Sequence, residues 1–114
     1  MSTVFSKIIN GELPADKLHE DEHCIVIRDI NPQAPVHLLI IPRREIPRLV
    51  DATQDDQALL GHLMLVARKM AVQLGVQEAF RLVLNNGESA GQTVFHVHMH
   101  LLAGQAFPER SLAS

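Results

Sequence analysis

Between Val94 and Leu102 the chain reads VFHVHMHLL, so three imidazoles, His96, His98 and His100, alternate with Val97, Met99 and Leu101. A period of two is the period of a β-strand, whose side chains leave opposite faces in turn. One face of this segment therefore carries three histidines and the other is apolar. The apolar face belongs in a core. Imidazoles buried in a core each need hydrogen-bond partners, so the histidine face is expected to look into a cleft.

The rest of the chain supplies a sheet for this strand to join. TVFSKII (3–9) predicts a short helix stopped by Asn10 and Gly11, with Pro14 beyond. Lys17 to Glu20 is a weak strand, Cys24 to Asp29 a stronger one with consecutive β-branched residues, and Val36 to Pro42 another, after the proline-bearing loop Ile30 to Pro35. Thr53-x-x-Asp56 reads as a capping box. Leu60, Leu63, Val66, Ala67, Met70 and Leu74 follow it at helical spacing, and Gly75 is the expected C′ residue. Leu59 and Met64 widen that apolar face, which suits either one broad core contact or a second buried side against a partner subunit. FRLVLNN (80–86) is a further strand, GESAGQ (87–92) a loop of small residues, and Gly104 to Ser114 a loosely tied tail. Helix, strands, helix, strands is an α+β order with an antiparallel sheet.

The chain has 114 residues, 46% hydrophobic and 20% charged, with no Trp or Tyr, which suits a single domain with an aliphatic core. The net charge is −3 and no basic run occurs, so neither a nucleic acid nor an anionic membrane is indicated as a partner. A single cysteine, Cys24, rules out an intrachain disulfide framework. It points to a reducing setting. No apolar run near Met1 resembles a signal or membrane segment, so a cytoplasmic location is expected.

Three readings of the histidine face compete on residues alone. It is a solvated strand face, a zinc site built from His at i and i+2, or a catalytic face acting at phosphorus or a carbonyl. Imidazole, with an ordinary pKa near ~6.5, is largely neutral and nucleophilic at pH 7. The segment upstream, Asn85 to Thr93, holds glycines, an amide and a hydroxyl. Such a loop turns backbone N–H groups and polar side chains toward an anion, which favours a phosphate oxyanion over a metal.

GQTVFHVHMHLL (91–102) resembles the His-φ-His-φ-His-φ-φ signature of the histidine triad (HIT) superfamily, φ being apolar. VFSKIINGELPAD (4–16) and DINPQAPVHLLIIP (29–42) stand in the order and spacing of its Hint branch, the purine nucleoside phosphoramidases. The resemblance spans about residues 5–104 of one HIT domain covering 1–114, with 105–114 as a C-terminal tail. It implies a five-stranded antiparallel sheet with two helices per subunit, and a homodimer whose sheets join into one. It also implies hydrolysis of purine nucleoside 5′-phosphoramidates and aminoacyl-adenylates to the monophosphate and an amine. No metal or other cofactor is implied. A dinucleoside polyphosphate hydrolase and a nucleotide-binding regulatory protein are the alternatives.

By that resemblance His98 is the nucleophile. His100 contacts the phosphate oxygens, with Asn85, Gly91, Gln92 and Thr93 completing the phosphate site. Thr93 stands where many relatives have Ser, and Thr93 or His100 delivers the proton to the leaving amine. His96 and His37 orient the active imidazoles. Asp29 takes the ribose hydroxyls, while Phe5, Ile8, Ile27 and Ile30 form the apolar slot for the base. His19, His23 and His62 match no catalytic position and are expected to be surface residues, and Cys24 a packed core thiol. Some HIT proteins carry a zinc site built from extra Cys and His, a pattern for which this chain has too few cysteines.

Overall fold

The structure is a computed structural model and describes residues 2–109. In chain order it forms α1 (Val4–Ile9), β1 (Lys17–Glu20), β2 (Cys24–Arg28), β3 (Val36–Pro42), α2 (Gln57–Gln73), β4 (Phe80–Val83) and β5 (Met99–Ala103). The five strands make one antiparallel sheet in the order β1-β2-β3-β5-β4. This is the α+β architecture expected.

Both helices start and stop where local chemistry dictates. Thr3 caps α1 rather than joining it: its hydroxyl accepts the Ser6 N–H, and the Ser6 hydroxyl accepts the Thr3 N–H. Thr53 and Asp56 do form a reciprocal cap, but on a short 3-10 turn (Gln54–Asp56) that leads into α2. At the far end Gly75 takes φ 72°, its N–H reaches Val72 O at 3.1 Å, and Val76 N–H reaches Ala71 O at 2.8 Å. That pair of bonds is a Schellman close, which needs the left-handed backbone glycine tolerates.

The sheet has a core on each face. Toward α2 point Cys24, Val26, Leu38, Ile40, Met99 and Leu101, packed on Leu63, Val66, Ala67 and Met70. Toward α1 point Ile25, Ile27, Leu39 and Ile41, packed on Phe5 and Ile8. The unbroken apolar run CIVI follows from burial on both sides.

Three expectations need correction. First, the histidine segment is not one regular strand. Val94 to His98 bend away from the sheet, with Val97 N–H bonded to Ile46 O at 2.6 Å, and the ladder begins at Met99 on the β3 side and at His100 on the β4 side. Second, β4 ends at Val83, so Leu84 to Asn86 leave the ladder; the Asn86 carboxamide instead accepts Val50 N–H at 2.8 Å. Third, part of the tail is held down. Arg81 donates to Pro108 O at 2.9 Å and its guanidinium lies 4.9 Å from the centre of the Phe107 ring. Residues 110–114 lie outside the described part.

Candidate active site

On the α1 face of the sheet, β3 and β5 set two histidines side by side. His37 stands opposite Leu102 and His100 opposite Leu39, so the two imidazoles are diagonal neighbours across the strands. Their rings are 5.2 Å apart, with His37 Nε2 2.9 Å from His100 Nδ1. His98, just before β5, brings its ring to 5.1 Å from that of His100. These three imidazoles line a cavity of about 130 Å³ together with Asn85, Gly91 and Thr93. A wider lobe of about 340 Å³ shares Thr93, His98 and His100 and runs past Phe5, Ile8, Ile27, Asp29 and Ile30. Beyond it an apolar lobe of about 410 Å³ reaches Leu13 and Pro14. The cleft is therefore polar at the histidines and apolar at its far end.

The hydrogen bonds assign every proton on the imidazole chain. Gln33 N–H donates to His37 Nδ1 at 3.0 Å, so His37 carries its own proton on Nε2 and gives it to His100 Nδ1. His100 then holds its proton on Nε2, free to donate into the cavity. His98 Nδ1 lies 2.8 Å from the backbone carbonyl of His96 and must donate to it, which leaves the His98 Nε2 lone pair unprotonated. Burial pushes His98 below the ordinary 6.5, and it pushes His37 down as well. Burial, then the neighbouring His98 and His37, bring His100 down to about 4. At neutral pH the cleft holds neutral imidazoles: one nucleophilic lone pair and one aligned donor.

His96 departs from the expectation that all three histidines face the cleft. It is 1% exposed and lines none of these lobes. Its Nε2 donates to Pro42 O at 2.7 Å, and the edge of Phe5 lies against its ring. The bend after Val94 turns it under the cleft floor, where its carbonyl, not its ring, meets His98.

The remaining expected residues divide in the same way. Asn85, Gly91 and Thr93 reach the phosphate-sized cavity. Gly91 has φ 100°, and a Cβ there would make only ordinary contact, 3.5 Å from Asn85 Nδ2, so it is the left-handed turn that calls for glycine. The Gln92 side chain points elsewhere: it is 2% exposed, accepts Gly87 N–H at 2.7 Å and donates to Pro47 O and Val94 O. It braces the loop that presents Thr93. Phe5, Ile8, Ile27 and Asp29 line the middle lobe, and Ile30 stands fully exposed at its rim. Asp29 uses Oδ1 to accept Asn31 N–H at 2.8 Å, while Oδ2 lies 3.4 Å from His37 Nε2. Gln33, whose backbone N–H orients His37, escaped the sequence reading because a main-chain donor leaves no side-chain signature.

Asp29, His37 and His100 offer ligand atoms within 4.8 Å of one another. A cation there would have to break the His37–His100 bond. The zinc geometry that competed as a reading of His96, His98 and His100 does not form, since His96 Nε2 is turned to Pro42 O.

A HIT domain model matches residues 10–107. The chain belongs to the HIT family. An uncharacterised HIT-like protein of Synechocystis sp. is 54% identical over 105 residues, 92% of each chain. Among solved structures, a HIT family hydrolase from Legionella pneumophila superposes with TM-score 0.94 at 41% identity, covering 96% of this chain and 99% of its own. A histidine triad nucleotide-binding protein from Candida albicans gives TM-score 0.81 at 33% identity over 94% and 83%. The triad of this HIT protein is thus two cleft histidines and one beneath them, with His37 as the third imidazole at the cavity.

Proposed function

We propose that this HIT protein hydrolyses purine nucleoside 5′-phosphoramidates, with aminoacyl-adenylates as further substrates. The observation that carries the reading is the His98 tautomer: Nδ1–H tied to His96 O, Nε2 bare and facing the cavity. The similarity to a HIT family hydrolase and to a nucleotide-binding HIT protein supports it.

In the first step His98 Nε2 forms a bond to the α-phosphorus and the P–N bond breaks. The departing nitrogen takes a proton from His100 Nε2 or through the Thr93 hydroxyl, because an amide anion leaves poorly. In the second step water attacks the same phosphorus and the P–Nε2 bond breaks. The water proton returns to the donor, so one difficult displacement becomes two easier ones. His100 Nε2–H, the Asn85 amide and the loop N–H groups near Gly91 bear on the phosphoryl oxygens, where charge grows. The base fills the apolar lobe past Ile8 and Ile27, and Asp29 Oδ2 takes the ribose hydroxyls.

The working unit in this reading is a cytoplasmic homodimer of single-domain chains. Met64, Leu65 and Val72 are 55, 66 and 48% exposed on α2, and β4, which follows α2, is an edge strand. Edge pairing at β4 would join two sheets and cover those side chains. No helix among the described residues is long and apolar enough to cross a membrane.

The test follows AMP release from an adenosine 5′-phosphoramidate carrying a fluorescent amine, with EDTA present. Turnover by the wild type and its loss in His98→Ala support the reading. Turnover of dinucleoside polyphosphates alone would move the protein to the alternative hydrolase class, and nucleotide binding without turnover to a regulatory role.

A further inference from the structure

On the opposite, α2 face of the sheet lies a second cluster of ligand-bearing side chains that the cleft does not use. It gathers His19 and His62, expected at the surface, and Cys24, expected as a packed core thiol, around Asp21. Asp21 sits in the turn between β1 and β2, where its Oδ1 accepts the backbone N–H groups of His23 and Cys24 at 2.7 and 2.8 Å. Its Oδ2 meets His19 Nε2 at 2.8 Å, His62 Nε2 at 2.8 Å and the Cys24 thiol at 3.6 Å. These come from β1, α2 and β2. Three donors crowd an oxygen that has two lone pairs. The ligand atoms of His19, Asp21 and Cys24 all lie within 4.8 Å of one another. Cys24 is fully buried, whereas the side chains of His19, Asp21 and His62 are 14, 25 and 34% exposed, so an ion can enter from one side.

We propose that His19, Asp21, Cys24 and His62 form a zinc site, with Nε2, a carboxylate oxygen, Sγ and Nε2 as its ligands. Two imidazoles, a thiolate and a carboxylate are a donor set that suits tetrahedral zinc. Ligands about 2.1 Å from a tetrahedral ion stand ~3.4 Å apart. The observed 2.8 and 3.6 Å separations from Asp21 Oδ2 bracket that value; His62 stands outside the group of three ligand atoms that lie within 4.8 Å of one another, and its ring turns toward them to complete the tetrahedron. On binding, the thiol loses its proton to solvent, and each imidazole exchanges the Nε2 proton it gave to Asp21 for one on Nδ1, so that the Nε2 lone pair meets the ion. Without the ion, burial and then the Asp21 carboxylate push the Cys24 thiol up to about 12; the charge of the metal reverses that balance. Four protein ligands leave no position open for a substrate, so the ion pins α2 to the β1–β2 hairpin.

The experiment strips the full-length protein with chelator, removes the chelator, and titrates Zn²⁺ and, separately, Co²⁺. Retention of one zinc per chain is expected, with a thiolate-to-cobalt charge-transfer band and tetrahedral d–d absorption. Loss even of a residue that only orients a ligand weakens metal binding by ~10–100-fold, so His19→Gln and His62→Gln should each cost about tenfold or more. Cys24→Ser should lose the sulfur band. Should that buried replacement not fold, the two partly exposed histidine variants decide. His98→Ala and His100→Ala should bind zinc like the wild type, which separates this site from the cleft. No stoichiometric uptake, uptake unchanged in the His19→Gln, His62→Gln double variant, or uptake lost in His98→Ala would each overturn the proposal.

Discussion

His37 gives its Nε2 proton to His100 Nδ1 across 2.9 Å, because Gln33 N–H already occupies His37 Nδ1. One backbone amide in the β2–β3 loop thereby decides which nitrogen of His100 faces the cavity. Replacing His37 with Phe keeps the bulk and removes that decision. We expect kcat for phosphoramidate hydrolysis to fall about tenfold to a hundredfold, within the range for misplaced proton donors. KM should change less, since the lost interaction serves charge that appears in the transition state. A raised KM with kcat unchanged would mean that His37 only holds substrate.

Stability should respond to acid in a defined window. Burial lowers the pKa of His37, His96, His98 and His100 below the ordinary 6.5, His100 to about 4. The unfolded chain therefore takes up protons that the folded chain refuses as pH drops from 6.5 toward 4. Stability is full above that window and declines through it, since the unfolded state binds more protons there. Calorimetry across these pH values should show Tm falling, with a shallower fall in His100→Gln. A Tm that is level or rising over the window would refute the assignment.

Gln92 is a brace. Its carboxamide makes three hydrogen bonds to the backbone at Gly87, Pro47 and Val94 in a buried position. Gln92→Ala leaves those groups unpaired and should cost about 2–3 kcal/mol. The loop carrying Gly91 and Thr93 should loosen with it. Chemical denaturation and KM measured on the same variant check both effects; a raised KM with unchanged stability would instead argue for direct contact with phosphate.

The exposed face of α2 offers a test of assembly. Leu65 and Val72, spaced seven apart, lie on nearly the same side of the helix. Leu65→Glu should convert a dimer into a monomer by light scattering while the far-ultraviolet spectrum stays unchanged. A dimer that survives this change places the interface elsewhere.

Much of the molecule was legible in local pattern. Thr53 and Asp56 announced a cap and Gly75 a helix end, and the period of two through Met99, His100 and Leu101 announced a strand with one core face. Those signals are local because hydrogen bonds to near neighbours and glycine backbone freedom make them so. The resemblance to HIT proteins across about residues 5–104 named His98, His100, Asn85 and Thr93, and the fold brings all four to one cavity.

By itself, the sequence determined the element order, the helix ends and most of the side chains that line the cavity. Only the tertiary structure decided their protonation and company. His96 left the cleft because Ile46 O and Pro42 O, distant in the chain, bend that segment and hold its ring. His19, Cys24 and His62 met at Asp21 because β1, β2 and α2 pack together. Local periodicity fixes which face a side chain takes, but a partner from another element decides what that face touches.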